Sequence, residues 1–197
     1  MKPRQQRRRR TCDADGEPIA DNVTLRVPRN DRALVPMTAE RVRRLRKHLL
    51  ETLLAWHRVQ DRGGMASPLP PAFDGFTAQV AQTACALCQG WCCKGGGEHA
   101  YLDERVIARV SQAMPELGRW SILRMYLARV PPSGYHGSCV FHGERGCTLD
   151  RSLRSDVCNN YFCGGLGSFV TTSESAEPVV VIAGEGEQMR KSPVLRP

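Results

Sequence analysis

Apolar residues recur at three- and four-residue steps along residues 38–62, and this period predicts a long amphipathic helix. Thr38 can cap its first turn, and Glu40 lies where the helix dipole favours an anion. Five basic residues between positions 41 and 47 crowd the opposite face, so we expect one packed face and one solvated face. The apolar stripe comprises Val42, Leu45, Leu49, Leu53 and Trp56, and it is widened by Leu50 and Leu54.

Three more helices are predicted from the same periodicity further along the chain. The first begins at Phe76, carries Cys85 in its last turns and is broken at Gly90. The second runs from Asp103, its capping residue, to Met114 and buries Val106, Ile107 and Val110. The third covers residues 117–130, and its core stripe consists of Trp120, Leu123, Leu127 and Val130.

Short apolar runs predict a minor β component. Residues 23–27 alternate between apolar and polar side chains as a short edge strand does, and the apolar run 178–183 fits one further strand. Apolar pairs flank a Gly-containing turn at 142–146, which predicts a hairpin with Cys139 and Cys147 on neighbouring strands. We therefore expect an α-rich fold with a minor β part (α+β), in which helices and irregular loops surround a split cysteine site.

Composition divides the chain into four regions. Residues 1–36 are expected to form a flexible basic N-terminal arm, and residues 37–75 the amphipathic helix with a Pro-rich linker. Residues 76–170 are expected to form a cysteine-cluster domain, and residues 171–197 a C-terminal tail that can hold one strand.

Cysteine is the residue type that carries candidate chemistry. The chain has nine cysteines, and all except Cys12 fall between positions 85 and 163. The spacing Cys85-x-x-Cys88 is shared by zinc knuckles, iron–sulfur loops and thioredoxin-type dithiols. The eight candidate metal ligands are Cys85, Cys88, Cys92, Cys93, Cys139, Cys147, Cys158 and Cys163.

Charge and segment composition bear on the compartment and on partners. The formal net charge is +8, but six positive charges fall in the first ten residues, so the remainder is nearly neutral. No apolar core follows that basic run, and no segment approaches the ~20 apolar residues of a membrane span. We therefore expect a cytoplasmic protein without a membrane span, in which structural disulfides are rare. The arginine run also leaves open a nucleic-acid partner bound through phosphates.

Of the three roles that the cysteines could have, namely disulfide formation, redox catalysis and metal binding, the sequence favours metal binding. The odd number of cysteines disfavours full disulfide pairing, and no alternating strand–helix pattern surrounds the Cys-x-x-Cys to suggest a thioredoxin fold. The side chains of Cys92 and Cys93 are expected to diverge, which suits two metals, or one ligand beside a supporting thiol. His99 is a weaker candidate ligand, because the thiols already oversupply one site.

The order of these cysteines resembles a known family. The chain has a Cys-x-x-Cys run ending in Cys-Cys, a helical insert, a cysteine-containing turn and then an arginine before a further cysteine. This order resembles that of the YkgJ-type cysteine-cluster family, whose members are described as zinc- or iron-chelating domains. The resemblance covers roughly residues 85–163, although Gln89 separates Cys88 from Gly90 where family members commonly have glycine next. It implies metal binding and implies no particular reaction.

These observations predict a metal-binding protein whose cysteine thiolates hold zinc or iron, the latter as an ion or a 4Fe–4S cluster. One alternative is an iron–sulfur redox or enzyme component, and another is a zinc-stabilised nucleic-acid-binding protein that uses the arginine-rich arm. The sequence identifies neither a catalytic residue nor a protein partner.

Overall fold

The computed structural model of the chain describes residues 22–59, 68–69, 73, 75–172 and 177–197. The helices of this described part are α1 Ala39–Val59, α2 Gly75–Cys88, α3 Glu104–Ala113, α4 Arg119–Leu127, α5 Asp156–Asn160 and α6 Gly164–Thr172. Its strands are β1 Val23–Val27, β2 Leu34–Pro36, β3 Ser133–Tyr135, β4 His142–Gly143, β5 Gly146–Cys147, β6 Val179–Ala183 and β7 Arg190–Lys191. The predicted helix-rich fold with minor β structure is confirmed.

Helix α1 forms because its sequence combines an N-cap with a continuous apolar stripe. The Thr38 hydroxyl accepts a hydrogen bond from the Arg41 backbone N–H at 3.3 Å, as the predicted cap requires. Leu45, Leu49 and Leu53 are buried against α3 and α4 and form the centre of a helical core. Leu54 was expected to widen the stripe, but it is 48% exposed because it lies away from the buried face of the helix.

Helices α3 and α4 complete the helical core. Asp103 caps α3, since its side chain accepts from the Val106 backbone N–H at 3.0 Å. In α4 the buried face consists of Ile122, Leu123 and Tyr126. The prediction for Trp120 was wrong: this side chain is 55% exposed, because α4 is rotated to turn Ile122 and Tyr126 inward.

A small sheet with the order β1-β6-β7 forms the second core. β6 lies in the middle, parallel to β1 and antiparallel to β7, and its apolar run is almost wholly buried. Helices α2 and α6 pack on this sheet. This sheet core contains Leu25, Val27, Val80, Ala84, Leu166, Phe169, Val179 and Val181.

Two regions predicted as an arm and a tail contribute to the structure. β1 and β2 both lie within the segment expected to be a flexible arm, and the strand predicted near residue 25 is confirmed at the sheet edge. β6 was assigned to the tail and is instead the central strand of the sheet. Residues 1–21, including Cys12 and the arginine run, and most of the Pro-rich linker lie outside the described residues.

Helix α6 was not predicted, because its sequence begins Gly164-Gly165 and reads as a loop. A Cβ on Gly165 would lie 3.1 Å from the carbonyl carbon of Arg26 and still closer to its oxygen. The missing side chain therefore lets α6 approach the backbone of β1 directly. In the described ranges, no helix has the combined length and apolarity that crossing a membrane requires.

Candidate functional site

Eight cysteines, contributed by well-separated parts of the chain, are neighbours of one another and pack in or against the two cores. All eight are free thiols; Cys88 and Cys139 are buried, whereas Cys85, Cys92 and Cys158 are exposed. That these eight cysteines form a split metal site stays a prediction. The contributing segments are the end of α2, the 3-10 turn Trp91–Gly95, the loop and hairpin 139–147, and the segment 158–163 around α5.

The first cysteine block is shaped by the end of α2. Gln89 and Gly90 adopt left-handed backbone conformations, with φ values of 52° and 71°, so the helix stops after Cys88 as predicted. The chain then tightens into the 3-10 turn, where the Cys93 N–H donates to the Gly90 carbonyl at 2.9 Å. This turn presents Cys92 and Cys93 beside the thiols at the end of α2.

The two cysteine blocks are joined by backbone hydrogen bonds. The N–H of Cys139 donates to the Cys93 carbonyl at 2.9 Å, and the N–H of Val140 donates to the Gly97 carbonyl at 2.8 Å. A Cβ on Gly96 would lie 2.7 Å from the Cβ of Cys139, so the glycine run lets the blocks touch. The hairpin is confirmed as β4 and β5, but Cys139 precedes β4 rather than lying on it; Cys147 lies on β5.

His142 links the blocks from the inside, and the sequence analysis did not identify it. Its side chain is fully buried. Its Nε2 lies 3.0 Å from the Gln89 carbonyl, which can only accept, so Nε2 carries the proton. Nδ1 then accepts from the Ser138 hydroxyl at 2.7 Å. Burial lowers the pKa of His142, which agrees with a neutral ring. The only indication in the sequence was its position between Cys139 and Cys147.

A buried ion pair positions the segment that carries Cys158. Arg109 of α3 is 9% exposed; it pairs with Asp156 and also donates to the carbonyl of Arg154. The Ser155 hydroxyl caps α5 by accepting from the Cys158 N–H at 3.1 Å. These contacts attach the last cysteine-bearing segment to the helical core. The sequence did not indicate this role, because Arg109 is simply one polar residue of an amphipathic helix.

Asn30 lies beside the end of α2. Its backbone N–H donates to the Cys88 carbonyl at 2.8 Å, and its side chain is 5% exposed. Its Nδ2 is a buried donor without a hydrogen-bond partner in the part of the chain that the structure describes. A buried amide without a hydrogen-bond partner is unusual in folded proteins. The cysteine-bearing end of α2 therefore contains a buried polar group whose hydrogen bonding is not satisfied within the described residues.

The thiols disfavour one another's ionisation. Burial, together with the nearby thiolates of Cys92, Cys88 and Cys163, raises the pKa of Cys85 to about 11. Burial and the sulfur neighbours Cys147 and Cys158 together raise the pKa of Cys139 to about 12.

The guanidinium of Arg154 is the nearby cation shared by the exposed thiols. It lowers the pKa of Cys85, Cys92 and Cys158, although burial still leaves the pKa of Cys85 and Cys158 raised overall. Its Nε donates to the Leu149 carbonyl at 2.8 Å, which fixes the base of the side chain. Arg154 therefore supplies positive charge on the exposed side of the cysteine cluster.

The adjacent pair Cys92 and Cys93 departs from expectation. Their thiols interact with each other rather than diverging: a hydrogen bond from Cys93 lowers the pKa of Cys92 to about 7. The same contact, together with burial, raises the pKa of Cys93. Cys93 also has Cys139 and Cys147 as sulfur neighbours, so this pair lies at the junction of the two blocks.

The cysteines could supply sulfur ligands, but their side chains are not close enough together to hold a metal ion. In residues 22–59, 75–172 and 177–197, no three His, Cys, Asp or Glu side chains have the mutual arrangement that holds a metal ion. His99 is exposed, and its Nδ1 accepts from the Tyr101 N–H at 2.9 Å. Coordination by the cysteines therefore requires the thiols to move closer to one another.

No family model matches this chain, and no match is found among the curated proteins or the solved structures.

Proposed function

We propose that this protein binds metal ions through its cysteine cluster, and that the metal stabilises the fold by joining the cysteine-bearing segments. The observation that carries the proposal is the convergence of eight free thiols, from segments distant in sequence, at the boundary between the helical core and the sheet core. Thiolates select zinc or iron–sulfur clusters over hard cations such as magnesium.

The arrangement supports a structural metal better than a catalytic one. Four thiolates complete the coordination of a zinc ion, and such a closed site leaves no position for substrate. Metal would supply positive charge among thiols that otherwise disfavour one another's ionised forms. Since the sulfur ligands come from segments distant in sequence, the energy of binding would become energy of folding. The ligands are the eight cysteines from Cys85 to Cys163.

Anaerobic purification followed by metal analysis and an absorption spectrum tests the proposal. Colourless protein with stoichiometric zinc supports a structural zinc site, whereas brown protein containing iron and inorganic sulfide supports a cluster. Protein without zinc or iron, which also fails to bind either ion on anaerobic reconstitution, contradicts the proposal.

Two cysteine variants provide a matched comparison. Cys88→Ser removes a buried thiol of the cluster and should lower metal content and solubility together. Cys12→Ser removes the cysteine that lies outside the 85–163 group and should leave metal content unchanged. A soluble, folded Cys88→Ser variant with its full metal content would count against the cluster as the binding site.

A further inference from the structure

The cysteines divide between the two cores. Cys88 is part of the sheet core, and Cys163 packs against the same core. Cys139 is part of the helical core, and Cys93 and Cys147 pack against it. Five thiols are therefore assigned to one side or the other by packing alone.

The local chain path assigns the others. Cys85 is one helical turn before Cys88 on α2, so its thiol lies over the same end of the helix. Cys158 is in α5, which Arg109 attaches to α3 of the helical core. Cys92 has Cys85 and Cys88 as sulfur neighbours, whereas Cys93 has Cys139 and Cys147. The two groups meet at Cys92, which also lies near Cys93 and Cys158.

We propose that the cluster binds two metal ions at separate four-cysteine sites, an inference that rests on the proposed function. The sheet-side site consists of Cys85, Cys88, Cys92 and Cys163. The helix-side site consists of Cys93, Cys139, Cys147 and Cys158.

The division satisfies both coordination number and charge. Each set supplies four sulfurs, the number that completes a structural zinc site. A divalent ion with four thiolates carries a net charge of −2, so two neighbouring sites repel each other. Arg154 offsets part of this repulsion, because it lies beside exposed thiols from both sets: Cys85 and Cys92 on the sheet side, and Cys158 on the helix side.

Cadmium-113 substitution tests the division, because each thiolate-bound ion gives its own NMR resonance. The full chain loaded anaerobically with Cd²⁺ should bind two ions and give two resonances typical of four-sulfur coordination. Cys85→Ser and Cys158→Ser form a matched pair, since both thiols are exposed and each belongs to a different set. Each variant should shift or lose one of the two resonances, and the affected resonance should differ between the variants. Each variant should also lose one of its two bound ions to a competing chelator.

Several outcomes distinguish this inference from the broader proposal. A single bound ion, a resonance altered by both variants, or cadmium–cadmium coupling through a shared sulfur would overturn the division while leaving metal binding intact. Failure of the parent chain to bind Cd²⁺ or Zn²⁺ would instead refute metal binding itself. If a variant does not fold, as judged by circular dichroism, the resonance count of the parent chain still decides between two sites and one.

Discussion

Replacing Gly90 with alanine perturbs the contact between the two cysteine blocks at its tightest point. Gly90 has a φ of 71°, and a Cβ there would lie 2.8 Å from Cε1 of His142 and closer still to Nε2. His142 cannot turn away freely, because both of its ring nitrogens are hydrogen-bonded. The variant should therefore suffer backbone strain, steric overlap and weakened hydrogen bonds together.

The magnitude follows from adding these effects. The left-handed backbone costs an alanine about 1–2 kcal/mol, overpacking costs about 1–3 kcal/mol, and a weakened hydrogen bond costs about 1 kcal/mol. We expect Gly90→Ala to lose about 3–6 kcal/mol of unfolding free energy. Gly75 provides the control, since its φ is 50° and a Cβ there would meet no atom of the described residues within 4 Å. Gly75→Ala should therefore show the backbone cost alone.

Urea unfolding of the as-purified protein, followed by far-ultraviolet circular dichroism, measures both variants against the parent chain. The expected gap between them is about 2 kcal/mol or more, which corresponds to roughly a 30-fold change in the unfolding equilibrium. Equal destabilisation by the two alanines would refute the reasoning, because it would mean that the His142 ring yields without cost.

Three further changes test other parts of the structure. Arg109→Met leaves Asp156 and the Arg154 carbonyl without their buried partner and should cost about 1–3 kcal/mol in urea unfolding. Leu49→Ala opens a cavity at a fully buried position and should cost about 2–5 kcal/mol by the same assay. Deleting residues 1–10 removes six positive charges and should abolish any salt-sensitive nucleic-acid binding, measured by fluorescence anisotropy at several salt concentrations.

The two point substitutions each have a control variant, and the deletion has an outcome that would contradict it. Leu54→Ala, at a half-exposed position of the same helix, should cost less than about 1 kcal/mol. A loss equal to that of Leu49→Ala would contradict the orientation of α1. Arg105→Met, on the same helix as Arg109 but at an exposed position, should leave stability nearly unchanged. Nucleic-acid binding that survives the deletion would exclude the arginine run as its cause.

Local sequence rules predicted the elements whose stability is mostly local. The period of α1 and the caps at Thr38 and Asp103 depend on contacts within one or two turns, and the structure has both caps. The hairpin at β4 and β5 was predicted for the same reason, since its turn chemistry lies within a few residues. The crowding of cysteines was likewise visible as a pattern along the chain.

The remaining features depend on contacts between distant residues. Nothing near β6 in sequence indicates that its parallel partner is β1, or that a glycine in α6 is needed for approach to that strand. The exposure of Trp120 depends on how α4 is rotated against α1, which periodicity alone does not settle.

At the candidate site, too, some features were predictable from the sequence and others were determined by the tertiary structure. The sequence identified which residues could act as ligands, because thiol chemistry belongs to the residue itself. Only the tertiary structure divided them between two cores and showed that His142 holds the blocks together. The physical reason is that packing and buried hydrogen bonds join residues that are far apart in the chain, whereas helix period, capping and residue chemistry are properties of short segments.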